Sequence, residues 1–194
     1  MDGSNTNPLG DLSKIPGFRI DIQTEAALAF IDRRKDDSFF LYLAYMAPHV
    51  PLEAPEKYLA RFSGEMPTRR RYALAMMAAM DDGVGRLRAR LDQLELSENT
   101  LIFYISDNGA PLAIDKRDAA ITDASGGWDG SLNTPLNGEK GTLLEGGIRV
   151  PFIAAWKSKI AAGQLVKEPV STLDVAATGL AVSGEPEEPL LDGV

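Results

Sequence analysis

The stretch LIFYISDNGAP, Leu101–Pro111, decides how this chain is read. Five apolar or aromatic residues, Leu101–Ile105, run directly into Ser106, Asp107, Asn108 and Gly109. The apolar part is short and unbroken, as expected of a buried strand. The polar residues after it have two readings. Asn-Gly is the strongest short-range signal for a hairpin turn. Equally, Asp107 and Asn108 place a carboxylate and an amide oxygen side by side, the hard oxygen donors that a cation such as Ca²⁺ takes. A hairpin needs a second strand at once, whereas Pro111 and the charged DKRD of Asp115–Asp118 come next. Turn and metal ligand both stay open on these residues alone.

Working outward, the same kind of segment recurs on either side. SFFLYLAYM, Ser38–Met46, predicts a first buried strand of parallel type, covered on both faces. IRVPFIAAW, Ile148–Trp156, predicts a third, with Pro151 at a strand start or an edge. Helices alternate with these strands. DIQTEAALAFIDRRK, Asp21–Lys35, sets Ile22, Ala26, Leu28, Ala29 and Ile31 mainly along one side, with Thr24 as N-cap. Arg70–Leu94 carries Tyr72, Met76, Met80, Val84, Leu87, Leu91 and Leu94 at spacings of three and four, locally weakened by Gly83 and Gly85. Ser171 and Asp174 match a capping box for a last helix that Gly184 stops. Residues 1–20 read as a loop or disordered lead.

This order gives an α/β fold with a mostly parallel sheet flanked by helices. In such sheets ligands sit beyond the carboxyl ends of the strands. Asp107 and Asn108 come after one strand, and His49, the sole histidine, comes after another in a loop framed by Pro48 and Pro51. There it is either structural or placed to meet an anionic substrate or act as an acid. Residues 108–147 form a long irregular region, and loops of that length inside a compact domain are usually functional. Within it Lys140 stands between Gly138 and Gly141, where backbone can approach a ligand and an ammonium can meet an anion, or where a lysine is simply solvated. The GxxxxGK[ST] spacing of a P-loop is absent. Arg69, Arg70, Arg71, Arg86, Arg88 and Arg90 read as solvated helix surface, Met76, Met77 and Met80 as core, and Trp128 as loop packing or a sugar platform.

Composition limits the classes of function. The 194 residues, 44% of them hydrophobic, suffice for one substantial domain with its own core. Twenty Lys and Arg against twenty-eight Asp and Glu leave a net charge of -8, with no basic footprint for nucleic acid or an anionic membrane. The longest apolar run, Phe39–Ala47, is about half what crosses a bilayer, and the N-terminus shows no export signal. Zero Cys excludes disulfides, a thiolate nucleophile and Cys-ligated zinc.

Together, FFLYLAYMAPHVPLEAP, YISDNGAP and LNGEKGTLLEGGIRVPFIAAW resemble, in order and approximate spacing, the type I sulfatases of the alkaline-phosphatase-like superfamily. The likeness runs from about Asp21 to Val194, and its most specific part is the Gly-Thr-x-x-Glu-Gly-Gly-x-Arg-x-Pro run. The resemblance implies that residues 21–194 are the second half of a catalytic domain truncated at both ends. It makes Asp107 and Asn108 two ligands of a Ca²⁺ ion, brings His49 to the sulfate ester and Lys140 to a sulfate oxygen. It also implies a formylglycine nucleophile, made from Cys or Ser in a C/S-x-P/A-x-R motif, and this chain contains no such motif; SKIPGFR and EMPTRR fail on spacing or residue type. The chain alone is therefore expected to be inactive and to self-associate through exposed sheet edges. Substrates would be sulfated small molecules or carbohydrates, and family habit places the parent in the periplasm or outside the cell. The alternatives are a noncatalytic α/β module that binds an anion or a partner, and a phosphate or phosphonate ester hydrolase of the same superfamily.

Overall fold

Helix α1, Arg19–Arg34, forms because Ile20, Thr24, Ala27 and Ile31 recur at helical spacing and are all buried. Asp21 in its first turn and Arg33 and Arg34 in its last complement the helix dipole. The computed structural model describes residues 16–112, 121, 131–184, 192 and 193. These divide into two compact units, one running to Gln93 and including Ile121, the other built from Leu94–Leu112 and from Ser131 onward.

In the first unit α1 and the short helix α2, Glu56–Leu59, both pack on α3, Thr68–Gln93. The long helix expected over Arg70–Leu94 is present almost as read. Its buried positions include Ala73, Met76, Ala79 and Gly83, a stripe of mostly small residues that lets α1 come close. At Gly83 a Cβ would lie 2.6 Å from both Thr24 Oγ1 and Tyr45 Oη, so a larger residue there would have to push these side chains aside. The core contains Ile20, Leu52, Tyr58, Ala73, Met76, Ala79 and Ile121.

Four expectations are corrected by this unit. Thr24 is not an N-cap: the helix begins at Arg19, and buried Thr24 Oγ1 bonds Ile20 O inside the helix and pairs with the Tyr45 hydroxyl. Arg69 is not solvated, being 5% exposed on the inner side of α3, and Met77 is not core, being 43% exposed. Ser38–Met46 is not a buried strand. Its exposure alternates residue by residue from Phe39 to Met46, the period of an extended chain, yet it belongs to no ladder. Among the described residues the backbone of Ser38–Tyr45 makes no backbone hydrogen bond, and Gln23 Nε2 donating to Ala44 O is its side-chain tether. Phe39 packs edge-on against Phe30 of α1, while Phe40 and Tyr42 on the opposite face are 79% and 81% exposed.

The second unit is organised by strand β1, Ile102–Ile105, and strand β2, Phe152–Ala155, with the short helix α4, Glu145–Ile148, before β2 and helix α5, Asp174–Ser183, after it. Of the mostly parallel sheet expected, the described residues contain this one pair, and it is antiparallel, Ile102 facing Ala155 and Ile105 facing Phe152. Phe103 meets Phe152 edge to face at 5.8 Å. Pro151 does stand at a strand start: having no N–H to give, it offers its carbonyl, which accepts from Ser106 N–H at 3.1 Å. Only half of the capping box at α5 forms: Ser171 N–H donates to Asp174 Oδ2 at 2.7 Å, but the helix starts at Asp174 with Leu173 as its N-cap, and the Ser171 hydroxyl accepts from Leu173 N–H instead; Gly184 ends the helix with φ of 79°.

Candidate functional site

The second unit decides what kind of loop comes after β1. Because β1 pairs with β2, whose first residue is Phe152, Asn108-Gly109 is not the two-residue turn of a hairpin. The segment instead turns onto the loop that carries Lys140. Gly109 N–H donates to Gly147 O at 2.9 Å, and Lys140 N–H donates to Ala110 O at 3.3 Å. Ser106 Oγ donates to Asn108 O at 3.1 Å. The backbones touch so closely that a Cβ on Gly109 would lie 1.7 Å from Gly146 O.

The lysine loop is shaped by its own glycines. Gly138 and Gly141 have φ of 92° and 89°, a region that disfavours side chains. Directly after Gly141, Thr142 Oγ1 accepts from Glu139 N–H at 3.1 Å and donates to Glu139 O at 2.8 Å, closing a tight turn around Lys140. The Glu139 carboxylate accepts from Leu112 N–H. Asn137 O accepts from Gly146 N–H at 2.7 Å. The result gathers the exposed Asp107, half-buried Asn108 and half-buried Lys140 onto interlocked backbone.

His49 lies in the first unit, half-buried, after the extended segment and directly before Val50. Its Nδ1 is 2.7 Å from Val50 O. A carbonyl can only accept, so Nδ1 is the donor in this contact. Trp128 falls outside the described residues.

The first unit also contains a cleft of about 330 Å³ lined by Asp21, Lys57, Tyr58, Arg61, Asp82 and Arg86, among others. Its charges satisfy one another. Lys57 bonds Asp21 at 2.7 Å, Arg61 grips Asp82 with two bonds of 2.9 and 2.6 Å, and Arg86 meets Glu25 at 2.7 Å. The Arg61 guanidinium holds the Asp82 carboxyl below its ordinary range. Burial, with the nearby Asp21 carboxylate, pushes the Tyr58 hydroxyl up. This is an ion-paired seam between helices, and none of the residues singled out for chemistry lines it.

Two kinds of residue in the site escaped the sequence reading: Asn133, whose side chain ties the two loops, and the glycines Gly109, Gly146 and Gly147 that let them touch. For the glycines the Glu-Gly-Gly run was a visible signal; for Asn133 the Asn-Thr-Pro context announced only a turn.

The sulfatase family profile matches residues 12–185, nearly the whole chain. The chain belongs to the sulfatase family. N-acetylgalactosamine-6-sulfatase of Mus musculus is 35% identical over 177 residues, which cover 89% of this sulfatase chain and 31% of that protein. Arylsulfatase H of Homo sapiens is 36% identical over 158 residues, 81% of this chain and 26% of that one. Among solved structures, Ps i-CgsB in complex with k-i-k-neocarrahexaose superposes with a TM-score of 0.82 at 35% identity, covering 93% of this chain and 38% of that one. PsFucS1 sulfatase from Pseudoalteromonas sp. gives 0.69 at 30% identity, with 90% and 32% covered. The architecture is therefore that of the alkaline-phosphatase-like fold, and this sulfatase chain spans about a third of the length of these relatives.

Proposed function

We propose that this chain is part of a sulfate-ester hydrolase, in which Lys140 binds a nonbridging sulfate oxygen, Asp107 and Asn108 give two oxygens to Ca²⁺, and His49 contacts the ester. The observation that carries the reading is the interlock of the Asp107–Ala110 segment with the Lys140 loop through Gly109–Gly147 and Lys140–Ala110 bonds. Two residues of a hard-oxygen donor type and one cation on a common frame suit an anion and the metal that would face it.

The donor set fits Ca²⁺ in kind. Among the described residues no group of three or more His, Cys, Asp or Glu could hold a metal, so these two supply a minority of the roughly six to eight oxygens that Ca²⁺ takes. When bound, the ion would offset negative charge on the sulfate oxygens. The chain's own residues would bind and orient the sulfate. The Lys140 ammonium, on a turn fixed by Thr142, donates to a sulfate oxygen that gains charge as the ester bond breaks. His49, whose ring is oriented by the contact of Nδ1 with Val50 O, would meet the ester and can act as an acid there.

Formylglycine would be the nucleophile of the parent, and the chain holds no motif from which to make it. The chain alone should bind sulfate and leave an aryl sulfate intact. Sulfated carbohydrate is the substrate class that best matches the relatives named for N-acetylgalactosamine 6-sulfate and the neighbour holding a neocarrahexaose. Self-association is part of the same reading: Phe40 and Tyr42 stand exposed on an extended segment whose backbone makes no backbone hydrogen bond among the described residues.

Calorimetric titration of sulfate into the chain, with and without Ca²⁺, tests the assignment. Lys140→Ala removes a charge-assisted bond worth about 1.5–3 kcal/mol, so sulfate affinity should fall about tenfold to a hundredfold. Asp107→Ala should abolish any effect of Ca²⁺ on that affinity. Sulfate binding that is indifferent to Lys140→Ala would refute the assignment, as would turnover of an aryl sulfate by the chain alone that His49→Ala abolishes.

A further inference from the structure

The side chain of Asn133 reaches two segments of the second unit at once. Its Nδ2 donates to Ala110 O at 2.7 Å and to Gly138 O at 3.0 Å, while its Oδ1 accepts from Ala110 N–H at 2.9 Å. Ala110 comes three residues after Asp107, and Gly138 two residues before Lys140. Ala110 O also accepts from Lys140 N–H at 3.3 Å, so the carbonyl that Asn133 holds is the one that anchors the lysine.

The amide's orientation is set by these partners. Turned over, it would set Oδ1 against two carbonyl oxygens and Nδ2 against an N–H. The place demands a short side chain with an acceptor and two donors in one plane. An aspartate loses both donors, an alanine loses everything, and a glutamine carries the right atoms one methylene too far out.

We infer that Asn133 is a positioning residue, bracing the Asp107–Asn108 segment against the Lys140 turn so that both address the same anion. The inference rests on the sulfate-binding role proposed for Lys140 and Asp107. Asn133 itself touches backbone and needs no contact with sulfate or metal; its effect on binding passes through those two residues. Neither loop is regular secondary structure around these residues, so the ladder of β1 and β2 does not hold them in this arrangement. The Gly109–Gly147 bond fixes one end of the approach, and Asn133 fixes the other, at Gly138 beside the lysine.

The test compares the full chain with Asn133→Ala and Asn133→Gln, by amide hydrogen exchange and by sulfate titration. In Asn133→Ala the Ala110 and Lys140 amides should exchange at least about tenfold faster, with the amides of the β1–β2 ladder unchanged. Sulfate affinity should fall about tenfold although Lys140 is intact. Asn133→Gln, which keeps an amide and guards against a variant that merely fails to fold, should show the same pattern with smaller factors. Unchanged exchange at Ala110 and Lys140 overturns the brace. Faster exchange with unchanged sulfate affinity in both variants overturns the positioning role. A wild-type chain that binds no sulfate overturns the proposed sulfate-ester function instead, and the exchange comparison then decides by itself whether Asn133 holds the loops.

Discussion

Replacing Gly109 by alanine puts a methyl group where the second unit has no room for one. A Cβ there would lie 1.7 Å from Gly146 O and 2.8 Å from its carbonyl carbon, and both are backbone atoms that cannot swing aside. Relief requires one loop to lift off the other, taking with it the 2.9 Å bond from Gly109 N–H to Gly147 O. Overpacking costs about 1–3 kcal/mol and the lost hydrogen bond about 1 kcal/mol, against a gain of about 0.4–1 kcal/mol from the stiffer unfolded chain. The net loss is about 2–3 kcal/mol, or roughly 4–12 °C in Tm for a chain of this size. Urea unfolding at matched m-value measures it. Sulfate affinity should fall in parallel, because the displaced loop carries Asp107 and Asn108. A Gly109→Ala chain within about 0.5 kcal/mol of wild type would refute the close approach on which the site is built.

Gly83 and Gly85 lie two residues apart on α3 and should respond with opposite sign. Gly85→Ala meets nothing within 4 Å and should stabilise by about 0.5–1 kcal/mol, whereas Gly83→Ala must part Thr24 from Tyr45 and should destabilise in the same urea assay. The lowered pKa of Asp82 means that its pair with Arg61 contributes above the carboxyl's ordinary value of 3.8 and is lost as pH falls through the lower folded value. The stability gap between wild type and Asp82→Asn should therefore close on acidification below about pH 4. On light scattering the chain should self-associate, and Phe40→Lys with Tyr42→Lys should shift it towards monomer. A monodisperse wild-type monomer would contradict this.

How far each feature could be read from the residues depends on the range of the interaction behind it. The α3 helix was legible because its apolar stripe repeats every three or four residues over seven turns, a signal no single neighbour can reverse. Thr24 was misread because a threonine near a helix start can cap it or bond back to the residue four earlier; only the buried Tyr45 hydroxyl beside it decides. The segment Ser38–Met46 was legible as apolar and extended, but a strand is defined by its partner, and a partner is not encoded in the run itself. Asp107, Asn108 and Lys140 could be singled out as candidates because the chemistry they would bring lies in their own side chains. Asn133 could not, because its role consists of three bonds to backbone on two other segments, and any residue type can supply backbone. Arg69 shows the same limit from the other side: a run of three arginines looks solvated until the helix register turns one of them inward.

The register that pairs Ile102 with Ala155 closes a loop of about fifty residues, whereas α1 and α2 dock on a helix that comes soon after them in sequence. During synthesis, at about 5–20 residues per second, β1 waits some seconds for β2 to appear. For that interval IFYI has no ladder of its own, and a pairing this distant in sequence forms more slowly than helix docking. By this ordering the β1–β2 ladder is the late-maturing part of the second unit, completed after the segments that carry Asp107, Asn108 and Lys140 have already been made.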